Sequence, residues 1–213
     1  MKENTSGTRI LLARHAETAA PDRFHGAESD IALSARGFEQ AEELGRWLAG
    51  AGASALYCSG LQRAMDTASP IGRACTLEPI VIPALHERRI GPLSGLSREE
   101  GWATYAASKA GWIAGELEAT HPGGESFAAI RHRVCPILEQ LAERHRGETI
   151  IVIAHGVVIR VALTSVVTGL TPAEFDRIAI DFASVNDLWF DGRVWTARAL
   201  NQVVASSPAR PLA

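Results

Sequence analysis

The stretch Ile10-Leu11-Leu12-Ala13-Arg14-His15-Ala16-Glu17-Thr18 begins as a short apolar run and ends in an arginine followed by a histidine. The apolar run predicts a buried strand. A parallel strand that ends in Arg14 and His15 would bring a cation and an imidazole to the edge where open α/β sheets bind ligands. For this stretch alone, exit of both side chains into a solvated loop is the favoured interpretation, so the rest of the chain must supply partners.

A second strand ending repeats the pattern. Residues 149–154 form a β-branched apolar run, which predicts a central strand covered on both faces, and His155 is the first polar side chain after it. If the two strands are central and parallel, both imidazoles project from one edge of the sheet. A helix that follows Gly156 would add free N–H groups there, and the glycine would let a ligand approach the backbone closely.

A third junction adds another cation. Ser59 is predicted to cap a helix whose first turn carries Arg63, again near that edge. Arginine binds phosphate oxygens bidentately and is always charged. Each of these side chains could separately be a surface arginine or a satisfied histidine. Together, two arginines, two histidines and a helix N-terminus predict a pocket for a dianionic tetrahedral group.

The remaining pattern alternates strands and helices. In the first half it predicts a helix from Ser34 to about residue 51, a strand at 55–58, a helix that Pro70 should end or kink, and an edge strand at 79–83. In the second half it predicts a helix from Glu125 to about residue 145 and a hairpin of strands 184–190 and 194–200. This order is typical of a three-layer α/β/α sandwich with a mostly parallel mixed sheet. We expect a single domain over 1–205 and a disordered tail at 206–213.

The least regular region is residues 85–124, where glycines are expected to interrupt short helical pieces. Residues 88–121 are expected to form an insertion that caps the substrate site, because specificity commonly lies in such segments. Trp102, Tyr105 and Trp112 could form a wall for an apolar substrate, but packing within the insertion is the favoured interpretation.

Composition excludes several classes of function. The 213 residues carry a formal charge of −3 without a basic run, so nucleic acid is not an expected partner. No apolar run is long enough to span a bilayer, no signal peptide is evident, and the three cysteines form no C-x-x-C, so the cytoplasm is the expected location. No metal or other cofactor is expected, because four histidines lack metal-ligand spacing and are predicted to lie at the surface: His86, His121, His132 and His145.

Six ordered motifs resemble the histidine phosphatase superfamily, the phosphoglycerate mutase-like proteins, over nearly the whole chain. The first is similar to the R-H-G-E-T signature of that family, and the others match its later elements in order and spacing. The motifs are 14–18, Arg23-Phe24-His25-Gly26 with Asp30 and Leu33-Ser34, Ser59-x-Leu61-x-Arg63-Ala64-x-x-Thr67-Ala68, Leu85-x-Glu87, Pro122-Gly123-Gly124-Glu125-Ser126 and Ala154-His155-Gly156.

The resemblance implies a role for each matching residue. His15 would accept the phosphoryl group as a phosphohistidine, and Glu87 would donate and later accept a proton. Arg14, Arg63 and His155 would hold the phosphoryl oxygens, with Gly156 beside them. His25 and Gly26 stand where family members line the substrate pocket, although a purely structural loop is an equal alternative. The implied ligand is a small phosphorylated metabolite.

Three functions remain open at this level. The first is a phosphomonoester hydrolase, the second a cofactor-dependent phosphoglycerate-type mutase, and the third a non-catalytic module that binds a phosphorylated ligand. The segment between Glu87 and Pro122 is short for a mutase, which favours the hydrolase. Ala16 replaces the glycine of the signature, so a slightly displaced loop is expected there. The oligomeric state is left open.

Overall fold

The strands that carry the two histidine motifs lie side by side. In the computed structural model, which describes residues 7–204, β1 (Thr8–Arg14) pairs in parallel with β4 (Thr149–Ala154), and Arg14 is in register with Ala154. Both strands are buried along almost their whole length. Because parallel neighbours end at the same edge, the residues that follow them meet there.

Four more strands complete the sheet. β2 (Ala53–Cys58) pairs in parallel with β4 and with the edge strand β3 (Pro79–Val81). On the other side of β1, β5 (Val185–Phe190) pairs antiparallel with β1 and forms a hairpin with β6 (Trp195–Gln202). The resulting order is β3-β2-β4-β1-β5-β6. The predicted mostly parallel mixed sheet is confirmed, and the predicted tail 206–213 lies outside the described residues.

Helices cover both faces of this sheet. α1 (Ala35–Leu48) and α2 (Gln62–Cys75) pack on one face, while α4 (Phe127–Arg144) and α5 (Gly156–Val166) pack on the other. The alternation of β1 divides its side chains between two apolar cores, with Ile10 and Leu12 in one and Leu11 and Ala13 in the other. This confirms the three-layer α/β/α architecture.

One predicted helix cap is wrong, and of the two effects predicted for Pro70 the end of the helix does not occur. Ser59 does not cap α2, because its hydroxyl accepts the N–H of Leu61 (3.3 Å) and the helix begins at Gln62 with Leu61 as the cap residue. Pro70 does not end α2, which continues to Cys75 and stops at the left-handed Thr76. At Pro70, α2 packs closely against α1. A Cβ on Gly45 of α1 would lie only 3.0 Å from the carbonyl oxygen of Pro70.

The capping region differs most from its prediction. Instead of short pieces it contains one helix of 16 residues, α3 (Arg98–Ile113), which begins with a Ser97–Glu100 capping box. Gly101 and Gly111 do not interrupt it. A Cβ at Gly101 would lie 2.7 Å from the Phe24 ring and one at Gly111 would lie 2.6 Å from the Ala119 Cβ, so these glycines allow close packing rather than a break.

The histidines of this region also depart from expectation. His121 is buried, not at the surface, and its ring lies between the Ile90 carbonyl (3.0 Å) and the Ser108 hydroxyl (3.2 Å). His132 is exposed as predicted, whereas His86 and His145 are half-buried. No helix of residues 7–204 is long and apolar enough to cross a membrane.

Candidate active site

Three strand-to-helix junctions meet at the carboxyl edge of the sheet. His15 follows β1 and His155 follows β4, and their ring centroids are 5.1 Å apart. Arg14, His15, Arg63, Glu87 and Gly156 all line one cavity of about 280 Å³, which is at the small end for a ligand site. His155 is completely buried and, unlike His15, is not among the residues that line this cavity.

The protonation of His15 follows from its neighbours. Its Nδ1 is 2.7 Å from the Ala16 carbonyl oxygen, which can only accept, so Nδ1 carries the proton and Nε2 keeps its lone pair. Burial, followed by the charges of Arg14 and Arg63, holds the pKa of His15 well below its ordinary value. The ring is therefore a neutral imidazole whose free nitrogen can act as a nucleophile.

His155 is also kept neutral. Burial and then the positive charge of Arg63 hold its pKa well below the ordinary value. Neither ring nitrogen has a hydrogen-bond partner within residues 7–204, although both are buried. A neutral imidazole offers one donor and one acceptor, so His155 can donate to an oxygen of a bound group.

Two arginines that line the cavity, Arg14 and Arg63, supply positive charge. Arg14 lies 3.9 Å above the Phe182 ring centroid and donates to the Ile180 carbonyl (2.7 Å), and its buried Nε has no partner among the described residues. Burial lowers the pKa of Arg14 to about 10, which leaves it charged at neutral pH. Arg63 donates to the carbonyls of Ser29 (2.7 Å) and Gly26 (3.1 Å).

Glu87 occupies the N-terminus of α5. Its carboxylate accepts the N–H groups of Val157 (3.2 Å), Val158 (3.3 Å) and Arg88 (2.8 Å). The anion site expected at this helix end is thus partly filled by a side chain of the protein itself. The contact places a group that can exchange a proton beside the cations of the cavity.

Arg133 on α4 supports the segment that carries Glu87. Its Nη1 donates to the carbonyls of Ala84 (2.7 Å) and His86 (2.9 Å), while its Nε and Nη2 form a fork on Glu125 (2.8 and 2.9 Å). Glu125 lies just before α4, which begins after the cap residue Ser126, so the motif at 122–126 serves structure rather than chemistry.

The family model described as histidine phosphatase superfamily (branch 1) matches residues 10–203. The chain belongs to the histidine phosphatase superfamily. It is 38% identical over 169 residues to a metal-independent phosphoserine phosphatase of Arabidopsis thaliana, covering 75% of this chain and 69% of the relative. It is 31% identical over 187 residues to phosphoserine phosphatase 1 of Hydrogenobacter thermophilus, covering 87% and 88%.

A solved structure confirms the fold. The mycobacterial glucosyl-3-phosphoglycerate phosphatase superposes with a TM-score of 0.79 at 24% identity, covering 92% of this chain and 99% of that one. The sequence-based prediction of a phosphoglycerate mutase-like fold is therefore confirmed. The predicted enzyme class, a phosphoric monoester hydrolase that works through histidine, agrees with the family and with both phosphoserine phosphatases.

In this histidine phosphatase, His25 and Gly26 contribute differently. His25 lines the cavity, but its ring is bonded to the Ser29 hydroxyl (2.8 Å) and the Ala20 carbonyl (2.8 Å). Gly26 is not part of the cavity wall; a Cβ there would lie 2.5 Å from the Ile90 side chain, so the position requires glycine for packing. The contacts of both residues favour the structural alternative.

Ala16 fits the signature loop without a positive φ. Among the described residues, the non-glycine positions with positive φ are Thr76, Ala183 and Asn201. The Ala16 N–H donates to the Thr67 hydroxyl (3.0 Å), and its methyl group is fully buried. The methyl group therefore requires no left-handed backbone at this position.

Sequence reasoning missed three cavity residues, Arg98 and Lys109 of α3 and Arg160 of α5, and it favoured internal packing for Trp102 and Tyr105, which also line the cavity. Arg98, Trp102, Tyr105 and Lys109 recur at intervals of four, three and four, which places them on one face of α3, and all line the cavity. Arg160 follows Gly156 by one helical turn and faces the same cavity. The helical spacing was the available signal. Trp112, by contrast, is buried in the core, as the packing interpretation expected.

Proposed function

We propose that this histidine phosphatase hydrolyses small phosphomonoesters through a phosphohistidine on His15, with Glu87 as proton donor and acceptor. The observation that carries the assignment is the fixed tautomer of His15. Its Nδ1–H is held by the Ala16 carbonyl, so the lone pair of Nε2 is free, and Arg14 and Arg63 line the same cavity as this ring. No metal enters this proposal, because Arg14 and Arg63 supply the positive charge.

In the first half-reaction, Nε2 of His15 attacks phosphorus and the ester P–O bond breaks. Glu87 enters this step protonated and transfers its proton to the leaving oxygen, which departs as an alcohol. Arg14, Arg63 and His155 hold the three non-bridging oxygens through charge-assisted and neutral hydrogen bonds. Gly156 leaves room beside Arg14, whose Nε would be 3.4 Å from a Cβ at that position.

In the second half-reaction, water attacks phosphorus and the N–P bond breaks. Glu87, now a carboxylate, accepts a proton from that water, so inorganic phosphate is released and both side chains return to their starting states. The backbone N–H groups of Val157, Val158 and Arg88 hold the carboxylate in place during this step.

Phosphate release from a panel of esters, including phosphoserine, tests the assignment. We expect His15→Ala to lower kcat/KM by at least about 10³-fold, because it removes the proposed nucleophile. His132→Ala is the matched control, since His132 is exposed on α4, and it should retain wild-type activity. Equal activity of both variants would contradict the role of His15.

Rapid quenching tests Glu87 separately. With p-nitrophenyl phosphate, whose phenolate departs without a proton from Glu87, the Glu87→Gln variant should accumulate an acid-labile, alkali-stable phosphoenzyme, because water is no longer activated. A phosphoenzyme that turns over only with a bisphosphate primer would instead identify a mutase. Failure to release phosphate from any ester, with ligand binding intact, would identify a non-catalytic module.

A further inference from the structure

The segment that precedes β5 is bonded to the end of β1. The N–H of Arg14 donates to the Ser184 carbonyl (3.0 Å), and the N–H of Ala183 donates to the His15 carbonyl (3.2 Å). The side chain of Arg14 adds a third bond, from its Nη1 to the Ile180 carbonyl (2.7 Å). This segment therefore fixes the backbone of the proposed nucleophile and of the cation beside it.

The same segment places an aromatic ring against the catalytic groups. Phe182 is half-buried and lines the catalytic cavity. The guanidinium carbon of Arg14 lies over its ring, 3.9 Å from the centroid, and the centroid of the His15 ring is 5.7 Å away. A cation interacts with a ring face at up to about 6 Å, so the contact with Arg14 is a close one.

A ring contact leaves the donors of a guanidinium free. The ring covers one face of the planar group, whereas hydrogen-bond acceptors lie in its plane. Nη1 of Arg14 is bonded to the Ile180 carbonyl, while the buried Nε has no partner among the described residues. A carbonyl fixes one N–H and still allows rotation about that bond. The ring fixes the plane as well, so the free donors have one direction.

The backbone that carries Phe182 is strained. Asp181–Ser184 form a turn in which the Ser184 N–H donates to the Asp181 carbonyl (3.2 Å). Its third residue, Ala183, has a φ of +55°, in the left-handed region that side chains other than glycine rarely adopt. Strain of this kind persists where the surroundings impose it, and it concentrates at functional sites.

The surroundings that impose this turn come from the sheet. The N–H of Asp181 donates to Oδ1 of Asn201 on β6 (2.7 Å), and Nδ2 of Asn201 donates back to the Asp181 carboxylate (2.8 Å). The N–H of Asn201 donates to Oδ1 of Asn186 (3.0 Å), whose Nδ2 donates to the Leu12 carbonyl (3.1 Å). Hydrogen bonds thus connect the turn to β6, β5 and β1.

We propose that Phe182 is a positioning residue, whose ring fixes the plane of the Arg14 guanidinium so that its free N–H groups face the phosphoryl oxygens. The inference rests on the proposed phosphatase function and adds to it a residue that acts through Arg14 rather than on the substrate. Donors oriented before the substrate arrives need no reorganisation as charge develops in the transition state.

Two substitutions at Phe182 test the role of the ring. Phe182→Leu keeps an apolar side chain but removes the ring face, and it should lower kcat/KM for p-nitrophenyl phosphate by about tenfold. Phe182→Tyr keeps the ring and should stay within about threefold of the wild type. A loss in the tyrosine variant as large as that in the leucine variant would overturn the proposal.

Phe190→Leu is the matched control for an effect on folding. Phe190 is buried against Trp195, with 4.8 Å between the ring centroids, and lies outside the cavity wall. Its replacement should lower the free energy of unfolding, measured by urea titration, and leave kcat/KM unchanged. A role of Phe182 in packing alone predicts the same pattern for Phe182→Leu, and that pattern would overturn the proposal.

A double-mutant cycle tests whether the ring acts through Arg14. In an Arg14→Met background no guanidinium is left to orient, so Phe182→Leu should lower kcat/KM by less than about twofold. p-Nitrophenyl phosphate suits this measurement, because its phenolate leaves readily and keeps the turnover of weak variants measurable. A tenfold loss in both backgrounds would show that the ring acts independently of Arg14 and would overturn the proposal.

Failure of the inference and failure of the proposed function are distinguishable. Wild-type kcat/KM in Phe182→Leu would overturn the positioning role and leave the phosphatase function in place. Failure of the folded wild-type enzyme to release phosphate from any ester of the panel would overturn the proposed function itself, and the positioning role with it.

Discussion

Arginines inside the cavity and arginines elsewhere in this protein are held by different partners. Arg9 forms a fork with Asp187 (3.0 and 2.8 Å), and Arg133 does the same with Glu125. Inside the cavity, Arg14, Arg63 and Arg160 donate instead to backbone carbonyls. A carbonyl fixes the orientation of a guanidinium but brings no formal charge, so the cavity arginines are positioned without being neutralised.

The difference indicates that the cavity is where arginine charges are left without a carboxylate partner and can act on a ligand. A carboxylate partner would lower the electrostatic energy of the empty cavity but would also compete with a phosphate for the same donors. With carbonyl partners, the competition is absent and the positive charge acts on the substrate. The cost falls on the neighbouring groups, because the pKa values of His15 and His155 are held low by burial and by these cations.

The largest effect expected from this comparison is on catalysis. Arg63→Met should lower kcat/KM by about 10²–10³-fold, because it removes a donor that stabilises charge in the transition state. Arg73→Met is the matched control: it lies on the same helix, exposed and paired with Glu42 (2.6 Å), and its removal should have little effect. Steady-state kinetics of both variants measure kcat/KM. A similar loss of kcat/KM in both would contradict the distinction between cavity arginines and paired surface arginines.

Replacing an arginine that is paired with a carboxylate should affect the stability of the fold more than catalysis. Arg133→Met leaves Glu125 without its fork and frees the Ala84 and His86 carbonyls, so the free energy of unfolding should fall by about 3 kcal/mol. Urea titration measures this. Arg146→Met, which breaks the exposed pair with Glu143, should cost less than about 1 kcal/mol. A loss at Arg133 no larger than that at Arg146 would show that the partly buried fork has no special weight.

The sequence predicted the elements whose signals are local. The strands β1 and β4, and the residues directly after them, follow from apolar runs that stop at Arg14, His15 and His155. Parallel pairing then brought these residues to one edge, as expected from the register. The spacing of Arg98, Trp102, Tyr105 and Lys109 is equally local, but Gly101 and Gly111 between them predict helix breaks that the structure does not contain.

What depends on contacts distant in the chain could not be predicted. Glu87 and the N-terminus of α5 are 70 residues apart, and no pattern indicates that the carboxylate occupies that helix end. The tolerance of α3 for Gly101 depends on the Phe24 ring, which lies far away in sequence. The burial of His121 likewise depends on distant contacts, since its partners Ile90 and Ser108 lie 31 and 13 residues away in sequence.

A third prediction concerns the binding of inorganic phosphate, whose negative charge the cavity arginines lack in the empty protein. Inorganic phosphate at 100 times its dissociation constant should raise the free energy of unfolding by about 2.7 kcal/mol, measured at constant ionic strength against chloride. Arg14→Met should lose most of this stabilisation, because the guanidinium of Arg14 lies at the edge of the sheet beside Gly156. An equal effect of phosphate on Arg14→Met would show that it binds elsewhere.

The smallest effect concerns His15 and His155, which burial and then the nearby cations keep neutral. Between pH 7.5 and 5.5 the unfolded chain takes up protons on histidines of ordinary pKa, near 6.5, while His15 and His155 in the folded protein do not, because their pKa values are lowered. Stability therefore falls as the pH falls through this window. Replacing His15 by Asn should reduce that loss by about 1 kcal/mol, and replacing both His15 and His155 should reduce it by about twice as much.

Urea titrations at several pH values measure the slope of the unfolding free energy against pH. Phosphate-free buffer is required, since a bound dianion would favour the protonated rings. His132→Asn, at an exposed position, should leave the slope unchanged, and an equally steep slope in the His15→Asn variant would mean that the folded imidazole takes up its proton as readily as the unfolded one.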